Sequence, residues 1–567
     1  MTMKPLTLIG LYLVFFTHFA VAQNCSQGSS FWRMNGNTIT AGFLNSGDMF
    51  WDLSESRFGV RANNSGSPFI STIFMGSIWL GGKDRSNNLR LSATGYRTGV
   101  NGNSFFPGPL QNGQTTTATC RSWDKHWVVS RQDINWHVAQ VNAGRIRDTI
   151  SNVFGWPGRN NPFFRQFNGF DLPPNQVLAP FFDKNRDGNY TPQFGDYPLP
   201  ENIRPDAVPD EVVWCVFNDI GSPKTYPSGA LAIGAEVQQT AWAYQFGGLL
   251  DSCIFTSHKI IHKGTIPIDS FSVGLWIDFD LGCYKDDFVG CIPSANTFYV
   301  YNRDSIDDSF CDGTRGFGLN PPVQAVTFLN KRLSKYMAAY NPIVRSPPAG
   351  MAYPITGREY FNYLNGQWKD GTLLTPTRLG YTPGATNATP FAFSGTPSNP
   401  SEWSMHQVNF RDTLPQYDIS AVGSTYVGTI SPLDTIRLDV VYSLHRNGNV
   451  DNIQNIPIMI GQLPRLTNVY ETQFQGLIRP VATEEAKDLQ NVNVFPNPSS
   501  NEVWVESAAV FTGDVAVYSA LGKLICTEKA HHLNKIRINL DKFSNGFYVL
   551  KIPVDGQIVS RKIVVQH

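Results

Sequence analysis

Charge of either sign is scarce in this chain and evenly balanced. Only 16% of its 567 residues are charged, 45 Lys and Arg against 45 Asp and Glu. A neutral chain carries no global field for nucleic acid or an anionic membrane. The eight cysteines include no C-x-x-C pair, which excludes a zinc ribbon or thioredoxin-type site of that spacing. No G-x-S-x-G elbow, H-E-x-x-H helix or phosphate-cradling loop is written in the sequence. The common serine-hydrolase, zinc-protease and nucleotide sites therefore have no local signature here. Ser122-x-x-Lys125 has the S-x-x-K spacing, but no K-T-G follows. Heptads, long helical periods and clean internal repeats are also missing.

What is abundant is aromatic, Gly and Pro: 13% aromatic residues, 49 Gly and 37 Pro. Many turns and many large apolar side chains predict an all-β protein, a large β-sandwich body with long loops. The one long apolar run, 6–19, follows Lys4 and ends at Ala20-Val21-Ala22. It is too short for a membrane span and reads as a secretory signal peptide over 1–22, leaving Gln23 as the first mature residue. Extended runs are expected at 211–218, 235–244, 253–262, 270–278 and 435–444, with a partly helical stretch near 453–476. The expected division is a β-rich region 23–209, a β-sandwich region 210–480, a polar linker 481–490 and a small domain 491–567.

The last region is the most legible. Val494-Phe495-Pro496-Asn497-Pro498 cannot continue a ladder and reads as a rigid turn. Val503 and Val505 face one way and Trp504 the other. Ile536, Ile538 and Leu540 alternate with Arg537 and Asn539, the period of a half-buried strand. Gly522 and Asn545-Gly546 sit where hairpins turn. About seven short strands predict a small Ig-like sandwich. These residues resemble the type A C-terminal sorting domain of the type IX secretion system of Bacteroidota. The motif positions are Pro496, Asn497, Pro498, Tyr518, Gly522, Lys523, Gly546, Tyr548 and Lys562. The resemblance implies export through an outer-membrane translocon. It also implies removal of the tail by a sortase-like peptidase, and attachment of the body to surface lipopolysaccharide or its release outside the cell.

The body is similar to a family of long type IX cargo proteins. The similarity is carried by Trp79-Leu80-Gly81-Gly82, Phe106-Pro107-Gly108-Pro109-Leu110, the run 183–190, Gly195-Asp196-Tyr197-Pro198 and the run 276–282. It implies no chemistry.

Two acidic groups could hold a metal. Asp183-x-Asn185-x-Asp187-Gly188 places oxygen ligands at alternate positions of a loop with a Gly turn, as calcium requires, and Asn189 would add its carbonyl. Position twelve is Phe194 rather than Glu, so Asp196 is the nearest substitute. The alternative is a metal-free Asx-turn loop. Asp278, Asp280, Asp286 and Asp287 form the second group, open to calcium, to a solvated turn or to a catalytic carboxylate pair. A third acidic loop, Asp304, Asp307, Asp308 and Asp312, reads as a solvated turn.

Oxidising export permits disulfides, and Cys283–Cys291 is the expected bridge. Cys215 reads as a buried strand thiol. Seven cysteines precede the tail, an odd number, so at least one stays unpaired within the body. His258 and His262 read as surface or capping residues. Trp123, Trp127, Trp136, Trp156, Trp242 and Trp368 read as core, with stacking on sugars the alternative. The function expected is that of a secreted or cell-surface protein. Its body would be structural, adhesive or glycan-binding with calcium-stabilised loops, and would bind a glycan or surface ligand. The alternative is a carboxylate-dependent, glycan-directed hydrolase.

Overall fold

The computed structural model describes residues 25–61, 69–96, 104–222, 227, 229–308, 311, 313–341, 345–412, 414–474, 492–519, 524–554 and 557–567. The expected signal peptide and linker, and Gly522 and Lys523, lie outside them. The chain divides into two units, Met1–Gln475 and Gly476–His567.

The first unit is built on two antiparallel sheets. The ten-stranded sheet runs in the order Lys335–Asn341, Asp418–Ile430, Ile268–Asp278, Met75–Asp84, Asp48–Met49, Ile39–Leu44, Phe58–Arg61, Phe69–Ile73. Phe31–Met34 and Leu89–Ser92 pair beside this path. The nine-stranded sheet runs Asp287–Ile292, Thr297–Asn302, Val323–Phe328, Thr435–His445, Cys253–His262, Ala235–Ala243, Glu211–Asn218, Phe106–Pro107, with Trp127–Ser130 also on Glu211–Asn218. Strands from both sides of residue 209 share each sheet, so the expected division at 209/210 is not a domain boundary. The reason is non-local pairing: Ile268–Asp278 takes Met75–Asp84 as one neighbour and Asp418–Ile430 as the other.

Alternation along the strands makes the core. Val213, Cys215 and Phe217, then Val237 and Ala241, then Ile254 and Ile260, share one cluster with Ile78, Leu80, Val273 and Leu275 of the other sheet. Both sheets are covered on their other faces as well. That is why Ala235–Ala243 is buried at every position. On the ten-stranded sheet the cover is the helix Gly357–Leu364, capped by a Thr356/Glu359 box. It lies close because the strands beneath it carry glycine. A Cβ on Gly274 would stand 2.6 Å from Leu364 Cδ2, and one on Gly81 3.0 Å from Leu364 Cδ1. The Trp-Leu-Gly-Gly motif thus has a packing role: Trp79 stacks on Trp276 at 6.0 Å and Gly81 seats the helix. On the nine-stranded sheet, Asn452–Glu471 packs against Val323–Phe328. Trp123 and Trp127 cover Trp214.

Among its described residues the second unit has seven strands. Val492–Phe495, Glu502–Ser507 and Lys535–Asn539 form one sheet; Leu524–Glu528, Val515–Ser519, Gly546–Val554 and Gln557–Val565 form the other. Val503, Val505, Ile536, Ile538 and Leu540 are buried in its core. Asn497 ties the Pro-Asn-Pro turn to the last strand: its Nδ2 donates to Lys562 O and its Oδ1 accepts from Val564 N, each at 2.8 Å. Lys562 Nζ lies 3.8 Å from the Phe547 ring centroid, and the Tyr548 hydroxyl donates to Ser544 O.

Candidate functional site

Three acidic places were brought together differently from the sequence expectation. In the first, the loop of Asp183, Asn185, Asp187 and Asn189 closes on its own backbone. Asp183 accepts from Asp187 N at 3.3 Å and from Gly188 N at 2.8 Å; Asp187 accepts from Asn189 N at 2.7 Å. Gly188 supplies the positive φ of 76°. Asp196 lies buried beside the loop and braces it, its Oδ1 taking Lys184 N and its Oδ2 taking Thr191 N. Burial raises its pKa against the pull of those hydrogen bonds. Phe194 is exposed.

The Asp278, Asp280, Asp286, Asp287 group is divided in two. Asp278 ends its strand opposite Ser420, and the Asp418 charge acts on both Asp278 and Asp280. Asp278 takes a hydrogen bond from the Tyr96 hydroxyl, while Asp278 Oδ1 and Asp418 Oδ1 are buried with no hydrogen-bond partner. Burial and then the Asp418 charge push Asp278 well up; burial puts Asp418 at about 7.

Asp286 and Asp287 belong to the start of Asp287–Ile292, where Asp287 pairs with Asn302. Asp307 comes in beside them. Far from being a solvated turn residue, Asp307 is fully buried and accepts Cys283 N and Phe317 N. Its neighbour Asp308 stays exposed, with a carboxylate oxygen within 4.8 Å of one on Asp286. Burial, then Asp307 and Asp308, raise Asp286 to about 7; burial and then Asp286 raise Asp287 well above its ordinary range. Among the described residues no Lys or Arg forms an ion pair with Asp278, Asp280, Asp286, Asp287 or Asp418. Asp312 lies outside the described residues.

The disulfide expectation is corrected. Cys283 bridges Cys311, with Cα atoms 5.3 Å apart, and a second bridge joins Cys25 to Cys120. Cys291 stands four residues into a strand that carries it away by roughly 13 Å, buried with Sγ on Ala392 O at 3.2 Å. Cys215 is a buried free thiol, as expected; Cys253 is another. His258 and His262 are also corrected: both are fully buried, because Cys253–His262 is a central strand under cover. Neither His258 nitrogen has a hydrogen-bond partner, and burial lowers its pKa to about 3. Of the six tryptophans weighed for stacking, only Trp136 is exposed.

A shallow cleft on the outer face of the nine-stranded sheet, with room for little more than one water, has no signature in the sequence. Glu201, Gln238, Thr240, Ser257 and Lys259 line it, with Trp214 fully buried beneath them. Trp214 Nε1 and Gln238 Oε1 are buried without partners. Glu201 pairs with Lys259 and Arg437, and Arg437 pairs with Asp439, so two cations and two anions cancel. The even spacing of 238 and 240 across from 257 and 259 is visible in sequence, but its outward face is not.

Residues 493–566 match the family described as the secretion system C-terminal sorting domain. The tail is a type IX secretion sorting domain, and the chain is exported to the cell surface or secreted. No described helix is long and apolar enough to cross a membrane. A comparison with curated protein sequences finds no match. Among solved structures the chain is similar to a polysaccharide lyase at 8% identity and a TM-score of 0.19, over 68% of this chain and 38% of that one. It is also similar to the adhesin domain of Epf from Streptococcus pyogenes at 8% identity and a TM-score of 0.11, over 57% of this chain and 87% of that one. The chain thus spans little over a third of the lyase's length, and at these scores neither likeness carries an argument.

Proposed function

We propose that the exported body is a surface-displayed or released binding scaffold of adhesive or glycan-binding type. The observation that carries this reading is the row of polar side chains on the outer face of the nine-stranded sheet, Gln238, Thr240, Ser257 and Lys259, which borders a shallow cleft. A neutral, hydroxyl-rich ligand needs donors and acceptors side by side, without net charge. Gln238, Thr240, Ser257 and the balanced Glu201–Lys259–Arg437–Asp439 set supply that combination. Glycan hydrolysis by the carboxylates of the 278–287 region finds no support in the cleft, because none of those residues lines it.

The Asp183 loop is proposed to hold structural calcium through Asp183, Asn185, Asp187 and the carbonyl of Asn189. Its support is the folded-back turn in which Asp183 takes the N–H groups of Asp187 and Gly188, leaving oxygens at alternate positions on one loop. Both oxygens of Asp196 are engaged by backbone N–H groups, so it braces the loop.

The test is binding of the full chain to an array of glycans, beside Gln238→Ala and Lys259→Ala. The expected result is selective binding that falls at least tenfold in both variants. Uniform absence of binding, or binding indifferent to both changes, would overturn the cleft as the site.

A further inference from the structure

The end of the nine-stranded sheet carries a feature that the loop motif lacks. Three buried oxygens at that end have no hydrogen-bond partner: Asp286 Oδ1, Asp287 Oδ1 and Asn302 Oδ1. All three residues are at least nine-tenths buried, and Asn302 is fully so. Asn302 is the independent observation. It is a neutral amide, held by the ladder pairing with Asp287 and by its Nδ2 donating to Asp304 O at 3.1 Å. Its side chain also lies within hydrogen-bond reach of the Asp286 carboxyl, and its oxygen meets no donor. Asp308 adds an exposed carboxylate within 4.8 Å of Asp286, a separation that two ligands of one ion at 2.3–2.6 Å from it can span. Cys283 lies equally near, but its sulfur is spent in the bridge to Cys311. The donors left are all oxygen.

From this geometry we infer that Asp286, Asp287, Asn302 and Asp308 form a site for one hard divalent cation, calcium, at the edge of the sheet. A proton on one carboxyl would satisfy one acceptor. A calcium ion, which takes six to eight oxygens, satisfies the three orphaned acceptors and Asp308 together. Asp307 is a positioning residue: with both oxygens on backbone N–H groups it fixes the loop from Cys283 to the strand, and the Cys283–Cys311 bridge holds the two segments that carry the ligands. Soft metals are disfavoured because no free thiolate or imidazole is at hand. The inference shares only the choice of cation with the proposed calcium loop at Asp183.

The experiment is calcium stoichiometry and affinity of the chelated full chain, by equilibrium dialysis with metal analysis. It compares wild type, Asp183→Ala/Asp187→Ala, Asp286→Asn and Asp308→Ala. Asp308 is exposed, so its variant keeps the fold even where Asp286→Asn does not. The expected result is one ion that survives the Asp183 change and whose affinity falls at least tenfold in Asp308→Ala and Asp286→Asn. One ion lost only with Asp183 and Asp187 would overturn this site and leave the loop standing. One ion lost only with Asp286 or Asp308 would support this site and remove the loop. No calcium in wild type would overturn both.

Discussion

The Asp183 loop and the Asp286 cluster contain similar residues and are satisfied in opposite ways. The loop is mostly exposed, and its carboxylates accept from their own backbone within five residues. The cluster is buried, and three of its acceptor oxygens meet no donor. In the loop the spacing that announces a metal motif also makes Asx turns, so its hydrogen bonding closes with or without an ion. In the cluster no motif announces anything, yet burial makes an unpaired acceptor costly. The tertiary structure thus places the stronger demand for a cation where the sequence motif is weaker.

The two disulfides give the largest way to sharpen that difference. Cys25–Cys120 closes 95 residues and Cys283–Cys311 closes 28. The chain-entropy model assigns them about 4.7 and about 3.6 kcal/mol. Paired Cys→Ser variants should lose stability in that order in denaturant unfolding. Only Cys283→Ser/Cys311→Ser should also weaken calcium binding at the Asp286 cluster, because only that bridge holds its loops. Equal calcium affinity in both variants would detach the bridge from the site.

Calcium itself should come next. Mass action gives about 3–4 kcal/mol when free ion is a hundred to a thousand times its dissociation constant. Thermal unfolding of the full chain with calcium and with chelator should show the first unit shifting and the tail unmoved. Asp308→Ala should remove more of the shift than Asp183→Ala/Asp187→Ala. The reverse ranking would invert the comparison above.

The strands were largely legible in the residues. Glu211–Asn218 and Cys253–His262 occupy the expected bounds, and the helix Asn452–Glu471 falls where a partly helical stretch was read. In the tail, Val503, Val505, Ile536 and Ile538 point inward as their alternation requires. What was not legible depends on partners far away in the chain. Asp418 acts on Asp278 and Asp280 only because its strand pairs with the one that ends at Asp278, and Asp307 becomes a buried brace only once Cys283 arrives. The same holds for His258. Its strand gave the right period but not its second covered face, so a residue expected at the surface is in the core.

That histidine gives a smaller and separate effect. Burial lowers His258 to about 3, against about 6.5 in an unfolded chain. The fold disfavours the charged form, so this contribution is fully present above the unfolded pKa and is lost as pH falls from about 6.5 toward about 3. At pH 5 the loss is about 2 kcal/mol. His258→Gln cannot take up that proton. The stability gap between wild type and variant should therefore narrow by about that amount from pH 7 to pH 5 in urea unfolding. A gap that stays constant would mean that His258 is already protonated or accessible in the fold.

The smallest effect separates the tail from the body. Asn497 makes two hydrogen bonds to the last strand, and both vanish in Asn497→Ala. At about 0.5–1.5 kcal/mol each, the expected cost is about 1–3 kcal/mol, discounted toward the low end because Asn497 is exposed and water can replace the side chain. It should appear as a lower melting temperature of the tail alone, with calcium binding by the body unchanged. In cells the variant should leave more chain behind the outer membrane and less outside, because the turn of Pro496, Asn497 and Pro498 is part of the folded tail presented for export. Normal export of a measurably destabilised tail would mean that the sorting machinery reads residues elsewhere on the domain, and Tyr548 and Lys562, which lie on the adjacent final strands, would be the next pair to change.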